Sequence, residues 1–512
     1  MRRICLAALL VMVLAAPVAA GTVTVAYGPD RYSKSAHYFN FAILSPNPQV
    51  TEPLLNLGED FTPRPGLALG WERLPGGKLR LKLRPGVRFH NGEKMDAQAV
   101  LAALEWFSRH RSDFLHLDLP ACRVEGEHTL VLQAQAGFSR LAENLTHPLV
   151  AMLWTGADPA RGPVGTGPFV FGDYQSDRML RVRRNPDYWG QAPPNQELVF
   201  RFIRDPQARI MAVASGQADV AFPLTPSLLA SLATGAGYRL VASPAVQYIG
   251  LSVNLHGQPP FDLLRDVRVR RALGYAIDRQ ALVNHLFRGH GRPAKSLLPP
   301  VFWGQGDEFL QGYSYDPARA AALLDQAGWR REESGPRRKH GRELKLRLVS
   351  GWPAGSELKP IPEVLQQMLA QVGIGLEIVE TDDHGVYYDG YMKPGKADLF
   401  LDKGFNSTAD PTFLLFLLFH SQTPWITYGQ NWFFPGAEFD AAVDRARQGR
   451  ERGEVVSAIQ EAQRILVDEK AALIPMVFVP DLFLVRMGVE LRPAIMEYLT
   501  RYGYCRVKES VR

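Results

Sequence analysis

The sequence predicts an α/β protein of more than one domain, and three observations carry that reading. Leu344, Leu346 and Leu348 alternate as a strand, Pro360 to Val372 has a helix pattern, and Leu376-Glu377-Ile378-Val379 is a strand again. This β-α-β order implies an α/β layer in the C-terminal half. A smaller block, Leu79 to Phe107, reads separately as α+β. The apolar runs Met476–Val479 and Leu482–Val485, parted by Pro480, lie late in the chain, where such runs often return to an earlier sheet. At 512 residues the chain has room for roughly three domains of ~150 residues each.

Composition narrows the class. Hydrophobic residues at 46% and charged residues at 21% exclude wholesale disorder. The 45 glycines and 38 prolines follow no period, which excludes collagen and short-repeat solenoids. A formal charge of +6 over this length does not argue for nucleic acid or an anionic membrane surface. Three cysteines rule out a disulfide scaffold.

Taken in order, Arg2 and Arg3 precede an apolar run from Ile4 to Ala20, with small residues at Val18 and Ala20. Residues 1–20 therefore read as a secretory signal peptide cleaved before Gly21. Cys5 lies too early to be a lipoprotein cysteine. The later run Phe413–Phe419 is far shorter than the ~18 residues a membrane span needs. Cys122 and Cys505 remain after cleavage, and their spacing does not show whether they pair. Thr22 to Ala26 alternates as a strand. Gly76-Gly77 is a hairpin turn before the strand Leu79–Leu83, and Asp96 caps a helix through Phe107. Phe169–Phe171, Leu180–Arg183 and Leu198–Ile203 read as a meander. Asp205-Pro206 starts a helix through Ser215. Two helices follow Val267, the second capped by Asp278, and Asp316-Pro317 starts another that Gly328 closes. Helices are then expected at Ala437–Arg447 and Val455–Leu473.

No metal-protease, paired-cysteine, phosphate-loop or nucleophile-elbow motif is present, so nothing supplies a nucleophile–base pair. The cluster His110, Asp113, His116, Asp118 reads as the solvated end of a helix. Several aromatics sit in turn-rich segments: Tyr32, Tyr38, Trp352, Tyr387, Tyr388, Trp425 and Trp432. Ligand clefts are commonly lined by such residues. Asp410, before Pro411, is by default a helix cap; alternatively its carboxylate holds a ligand ammonium.

Seven ordered blocks carry a resemblance. They include Val50-Thr51-Glu52-Pro53-Leu54-Leu55, Pro65 to Glu72, Leu83-Arg84-Pro85-Gly86-Val87-Arg88-Phe89-His90-Asn91-Gly92, and Gly165-Thr166-Gly167-Pro168-Phe169. Arg184-Asn185-Pro186-Asp187-Tyr188-Trp189-Gly190, Arg270 to Arg279, and Tyr315-Asp316-Pro317 through Gly328-Trp329 follow. The chain resembles the family 5 extracellular solute-binding proteins of peptide- and nickel-type ABC importers. That resemblance implies a two-lobed, type II "Venus-flytrap" α/β fold with an extra α+β subdomain. Lobe I would comprise 21–45, 165–248 and 478–512, the extra subdomain 46–164, and lobe II 249–477. The chain would cross between lobes near Leu251–Asn254 and return near Val477–Pro480. It implies a periplasmic monomer without cofactor, catalytic residue or nucleic-acid partner. The protein would close on a solute and deliver it to the membrane subunits of an ABC permease.

In peptide-binding members, an Asp in a loop like Asn406 to Pro411 holds the peptide α-ammonium, and Asp410 matches that position. Phe405 sits where peptide binders often carry Trp. The expected lining is Asp410, Phe405, Asn406, Trp352, Tyr387, Tyr32, Tyr38 and His420. Nickel-type members also carry an Asp-Pro near this place and bind a metal chelate through a His, with His420 and His147 in the corresponding neighbourhoods. Peptide capture is the leading expectation, with nickel or a metal chelate as the alternative.

Overall fold

Thr22–Tyr27 is buried on both faces, with Val23, Val25 and Ala26 fully buried, and it forms the middle of a seven-stranded sheet. The computed structural model describes residues 21–28, 49–110, 115–148, 150–158, 161–232, 237–304, 306–331, 335–352, 356–383, 385–423, 431–495 and 499–507. The expected signal peptide 1–20 and Tyr32, Tyr38, Asp113 and Trp425 lie outside these residues.

The seven strands run in the order Tyr238–Ala242, Leu482–Arg486, Val220–Phe222, Thr22–Tyr27, Glu197–Phe202, Met179–Arg184, Phe169–Gln175. Thr22–Tyr27 is parallel to both of its neighbours, and the meander 169–202 is antiparallel within itself. A separate six-stranded sheet has the order Arg292–Pro293, Leu473–Val479, Gln247–Val253, Leu399–Gly404, Lys345–Ser350, Gly375–Glu380. Here the β-α-β unit appears as expected. Lys345–Ser350 and Gly375–Glu380 pair in parallel across the helix Ile361–Gln371. The third unit is a four-stranded antiparallel sheet, Ala68–Leu74, Lys78–Leu83, Thr129–Gln133, Arg123–Gly126. The helix Ala97–His110 shares its core, and the Asp96 carboxylate accepts from Ala99 N at 2.8 Å as its cap. Each sheet has its own apolar core, the largest on the six-stranded one.

Two short crossings join the large sheets. One is Ser243–Val246, between Tyr238–Ala242 and Gln247–Val253; the other is Pro480-Asp481, between Leu473–Val479 and Leu482–Arg486. They are bonded to each other. Ser243 N donates to Asp481 O and Asp481 N to Ser243 Oγ, both at 2.9 Å, and Gln247 Nε2 donates to Asp481 Oδ1 at 2.7 Å. The first crossing thus precedes the expected Leu251–Asn254, because Gln247–Val253 is buried along its whole length inside the six-stranded sheet. A second correction concerns the last helix. It runs from Arg452 and its final turn ends at Glu469; Ala471 takes a left-handed φ of 46°, and Leu473 already begins a strand. Cys122 and Cys505 are both free thiols.

Candidate ligand crevice

Three parallel strands of the six-stranded sheet, Lys345–Ser350, Gly375–Glu380 and Leu399–Gly404, end on the same edge. In α/β sheets ligands bind beyond the carboxyl ends of parallel strands. The segments that leave this edge carry the residues expected from sequence: Trp352, then Tyr387 and Tyr388, then Phe405 to Asp410.

The structure gives these residues different duties. The Trp352 indole N–H donates to Leu401 O at 3.1 Å. Tyr387 is buried, its hydroxyl donating to Asp402 Oδ1 at 3.0 Å. Gly351 permits this, since a Cβ there would lie 2.6 Å from the Tyr387 ring. Tyr387 thus packs in the lobe core, with Tyr388 edge-on to it. Asp402 also accepts from Ser252 Oγ, and burial pushes its carboxyl up to about 6 against those hydrogen bonds. Phe405 is 36% exposed. Asn406 is buried and braces the loop, its Nδ2 donating to Thr408 O at 2.7 Å and Asp410 O at 2.9 Å. Asp410 is buried as well. Its Oδ1 accepts from Thr412 N at 2.8 Å and Thr412 Oγ1 at 2.7 Å, just ahead of the helix Phe413–Phe419. Burial raises its pKa, opposed by the Thr412 bonds. The carboxylate borders a void of about 30 Å³ among Phe138, Phe413, Phe416 and Arg447, room for a water or two.

His420 lies inside the same lobe. It is 1% exposed, its Nδ1 accepts from Gln422 N at 3.0 Å, and Nε2 faces Asp440 and Asp444 at 3.5 and 3.4 Å. Burial lowers its pKa, although both carboxylates pull the other way.

The loop meets the extra subdomain directly. Ser407 Oγ and His147 Nε2 are 2.8 Å apart, and Ala409 N donates to Thr146 Oγ1 at 2.9 Å. Beside Thr146 opens a cavity of about 770 Å³, lined from the extra subdomain by Glu52 and Leu57, from the seven-stranded lobe by Tyr188, and from the C-terminal segment by Ile495 and Arg501. Leu57 and Ile495 also pack on the core of the six-stranded lobe, but among the described residues none of 249–477 lines the cavity, and so neither Asp410, Phe405, Asn406, Trp352, Tyr387 nor His420 does. At its wall Glu52 accepts from Tyr188 OH at 2.7 Å and from Trp189 Nε1 and Thr166 Oγ1 at 3.0 Å. Burial raises its pKa, and these donors and the nearby Arg501 oppose that. Three of the sequence blocks noted above therefore converge on one carboxylate. Glu52 and Thr146 escaped sequence reasoning because their partners are remote in the chain; only His147 was singled out.

Comparison with known proteins places the chain. Residues 62–424 match the bacterial extracellular solute-binding proteins, family 5 (middle region), and the chain belongs to that family. It is a two-lobed solute-binding protein of the ABC-importer type with an extra α+β subdomain. The glutathione-binding protein GsiB of Salmonella typhi is 29% identical over 434 residues, covering 81% of each chain. Among solved structures, NikA of Brucella suis, in complex with Fe(III)-EDTA, superposes with a TM-score of 0.82 at 22% identity, covering 95% of this chain and all of that one. An ABC transporter substrate-binding protein of Sinorhizobium meliloti gives a TM-score of 0.75 at 26% identity, covering 96% and 100%. No helix among the described residues is long and apolar enough to cross a membrane.

Proposed function

We propose that this protein captures a short peptide in the crevice between its lobes and delivers it, chemically unchanged, to the membrane subunits of an ABC permease. The observation that carries the reading is the cavity between the extra subdomain and the seven-stranded lobe. Its volume of about 770 Å³ falls in the range of small-ligand sites, ~300–1,000 Å³. Its wall mixes hydrogen-bonding groups (Glu52, Thr146, Tyr188, Arg501) with apolar ones (Leu57, Ile495), which suits a backbone with side chains. The relative GsiB is named for binding glutathione, itself a tripeptide. A ligand that touches both lobes favours their closure, because only differential affinity shifts a conformational equilibrium. The nickel alternative draws less support: His420, its expected ligand, faces Asp440 and Asp444 inside one lobe. The protein acts in the periplasm, its N-terminal 20 residues removed on export, and it works as a monomer.

The test is mass spectrometry of the protein released from cells by osmotic shock. We expect a mature chain beginning at Gly21 and a co-purifying peptide recovered intact. A metal chelate, a non-peptide solute or a hydrolysed product would overturn the reading.

A further inference from the structure

The turn between the short strands Leu55–Leu57 and Pro63–Pro65 joins two cores. At its base Leu54 and Leu55 are fully buried in the core of the extra subdomain. At its tip Phe61 is 1% exposed, but within the core of the six-stranded lobe, stacked on Phe302 with centroids 4.4 Å apart. The turn is rigid by its own bonds. Gly58 N donates to Thr62 O and Phe61 N to Gly58 O, both at 2.9 Å, while Asp60 Oδ1 accepts from Thr62 Oγ1 at 2.6 Å.

Trp303 receives the tip. Its N–H donates to Asp60 O at 3.0 Å, and its indole N–H is shared between Phe61 O at 2.9 Å and Ala409 O at 3.1 Å. Both Phe61 and Trp303 hold left-handed backbone, φ 58° and 53°, a conformation that non-glycine residues keep only when their surroundings enforce it. Arg452 fixes the socket from behind by donating to Trp303 O. Ala409 belongs to the loop that leaves the carboxyl edge of the sheet, and its N–H is held by Thr146 of the extra subdomain. One indole therefore ties the inserted turn to the proposed ligand loop.

We propose that Phe61 and Trp303 form a latch that closes the extra subdomain onto the six-stranded lobe without needing ligand, and that Trp303 is thereby the positioning residue for the loop at Ala409. The proposal rests on the binding-protein reading only for the role of that loop; the latch is a property of the fold. Parting the extra subdomain from the six-stranded lobe withdraws Phe61 and exposes its ring and that of Phe302 to water, so the seated ring biases the free protein toward closure. Apparent affinity scales with the closed fraction, so losing the latch weakens binding by the same factor.

The experiment is small-angle X-ray scattering on the mature chain, stripped of ligand by guanidinium and refolded. Wild type is expected to scatter as the closed form, with Phe61 seated on Phe302. Phe61→Ala is expected to lower the closed-to-open ratio by about tenfold or more, since burying a Phe side chain favours the seated state strongly, and so to enlarge the radius of gyration. Trp303→Phe, which keeps a ring but loses the shared N–H, should move the same way, and Phe61→Leu should restore compactness. Circular dichroism identifies a variant that fails to fold, in which case the remaining variants decide. Open lobes in the wild type, or variant curves that superpose on it, would overturn the latch. Neither outcome bears on which solute binds, and a non-peptide solute would leave the latch standing.

Discussion

Asp410 illustrates how one carboxylate can be assigned two roles by sequence and separated by chemistry. Its Oδ1 already serves Thr412, with both the backbone N–H and the hydroxyl donating to it. A loop-bracing role needs an acceptor at that point; an ammonium-binding role needs a negative charge. Asp410→Asn keeps an acceptor and removes the charge. If Asp410 acts through the loop, calorimetry with the co-purifying peptide should show Asn binding within about twofold of wild type. Asp410→Ala, which strips Thr412 of its partner, should cost roughly 1–3 kcal/mol of stability by leaving buried donors unpaired. An equal weakening by Asn and Ala, worth about 1.5–3 kcal/mol in affinity, would instead place the ligand ammonium on this carboxylate.

At the scale of elements, the short meander entry Gly165–Gly167 shows why two glycines sit there. A Cβ on Gly165 would lie 2.1 Å from Val50 O, and one on Gly167 the same distance from Gln49 O. Both contacts are with backbone, which cannot turn aside. These close approaches dock the segment carrying Glu52 onto the one carrying Thr166, and the carboxylate completes the joint through Tyr188 and Trp189. Gly167→Ala should therefore lower the unfolding free energy by about 3 kcal/mol or more, in the range of severe overpacking. Urea denaturation of the purified mature chain checks this, and a loss below about 1 kcal/mol would mean that the joint yields easily.

At the scale of the whole molecule, stability against pH reports the buried acids. Asp402 and Asp398 lie four residues apart on or beside the strand Leu399–Gly404, and burial raises them to about 6 and about 7. Their pKa values in the folded state exceed those of the unfolded chain. Between about pH 4 and those values the native state holds more protons, so their contribution is fully present below the unfolded pKa and is lost as pH rises. Unfolding free energy should fall from pH 5 toward pH 7, by about 1.4 kcal/mol per pH unit for each extra proton held. Asp402→Asn should remove one such slope, and the variant should gain on wild type as pH rises through about 6. Urea titrations at several pH values would show it, and parallel curves for the two proteins would contradict it.

Much of the architecture was legible because it depends on near neighbours. Asp96, Asp205, Asp278 and Asp316 each cap a helix by accepting from an N–H three residues ahead, a geometry the local pattern specifies. The alternation in Leu344, Leu346 and Leu348 likewise marked the buried face, all three being fully buried with Lys345 exposed and Arg347 half-buried between them. Sequence by itself thus determined the element types, the β-α-β layer, and, through seven ordered blocks, the family. Tertiary structure alone decided where the chain crosses between sheets, that Tyr387 faces a buried Asp402, and that His420 turns toward Asp440 and Asp444. It alone seated Phe61 in a socket whose indole donor is 242 residues away. The physical reason is range. A cap or an alternating strand is set by contacts within a few positions, whereas a crevice exists only where separate units, each packed on its own core, come to face one another.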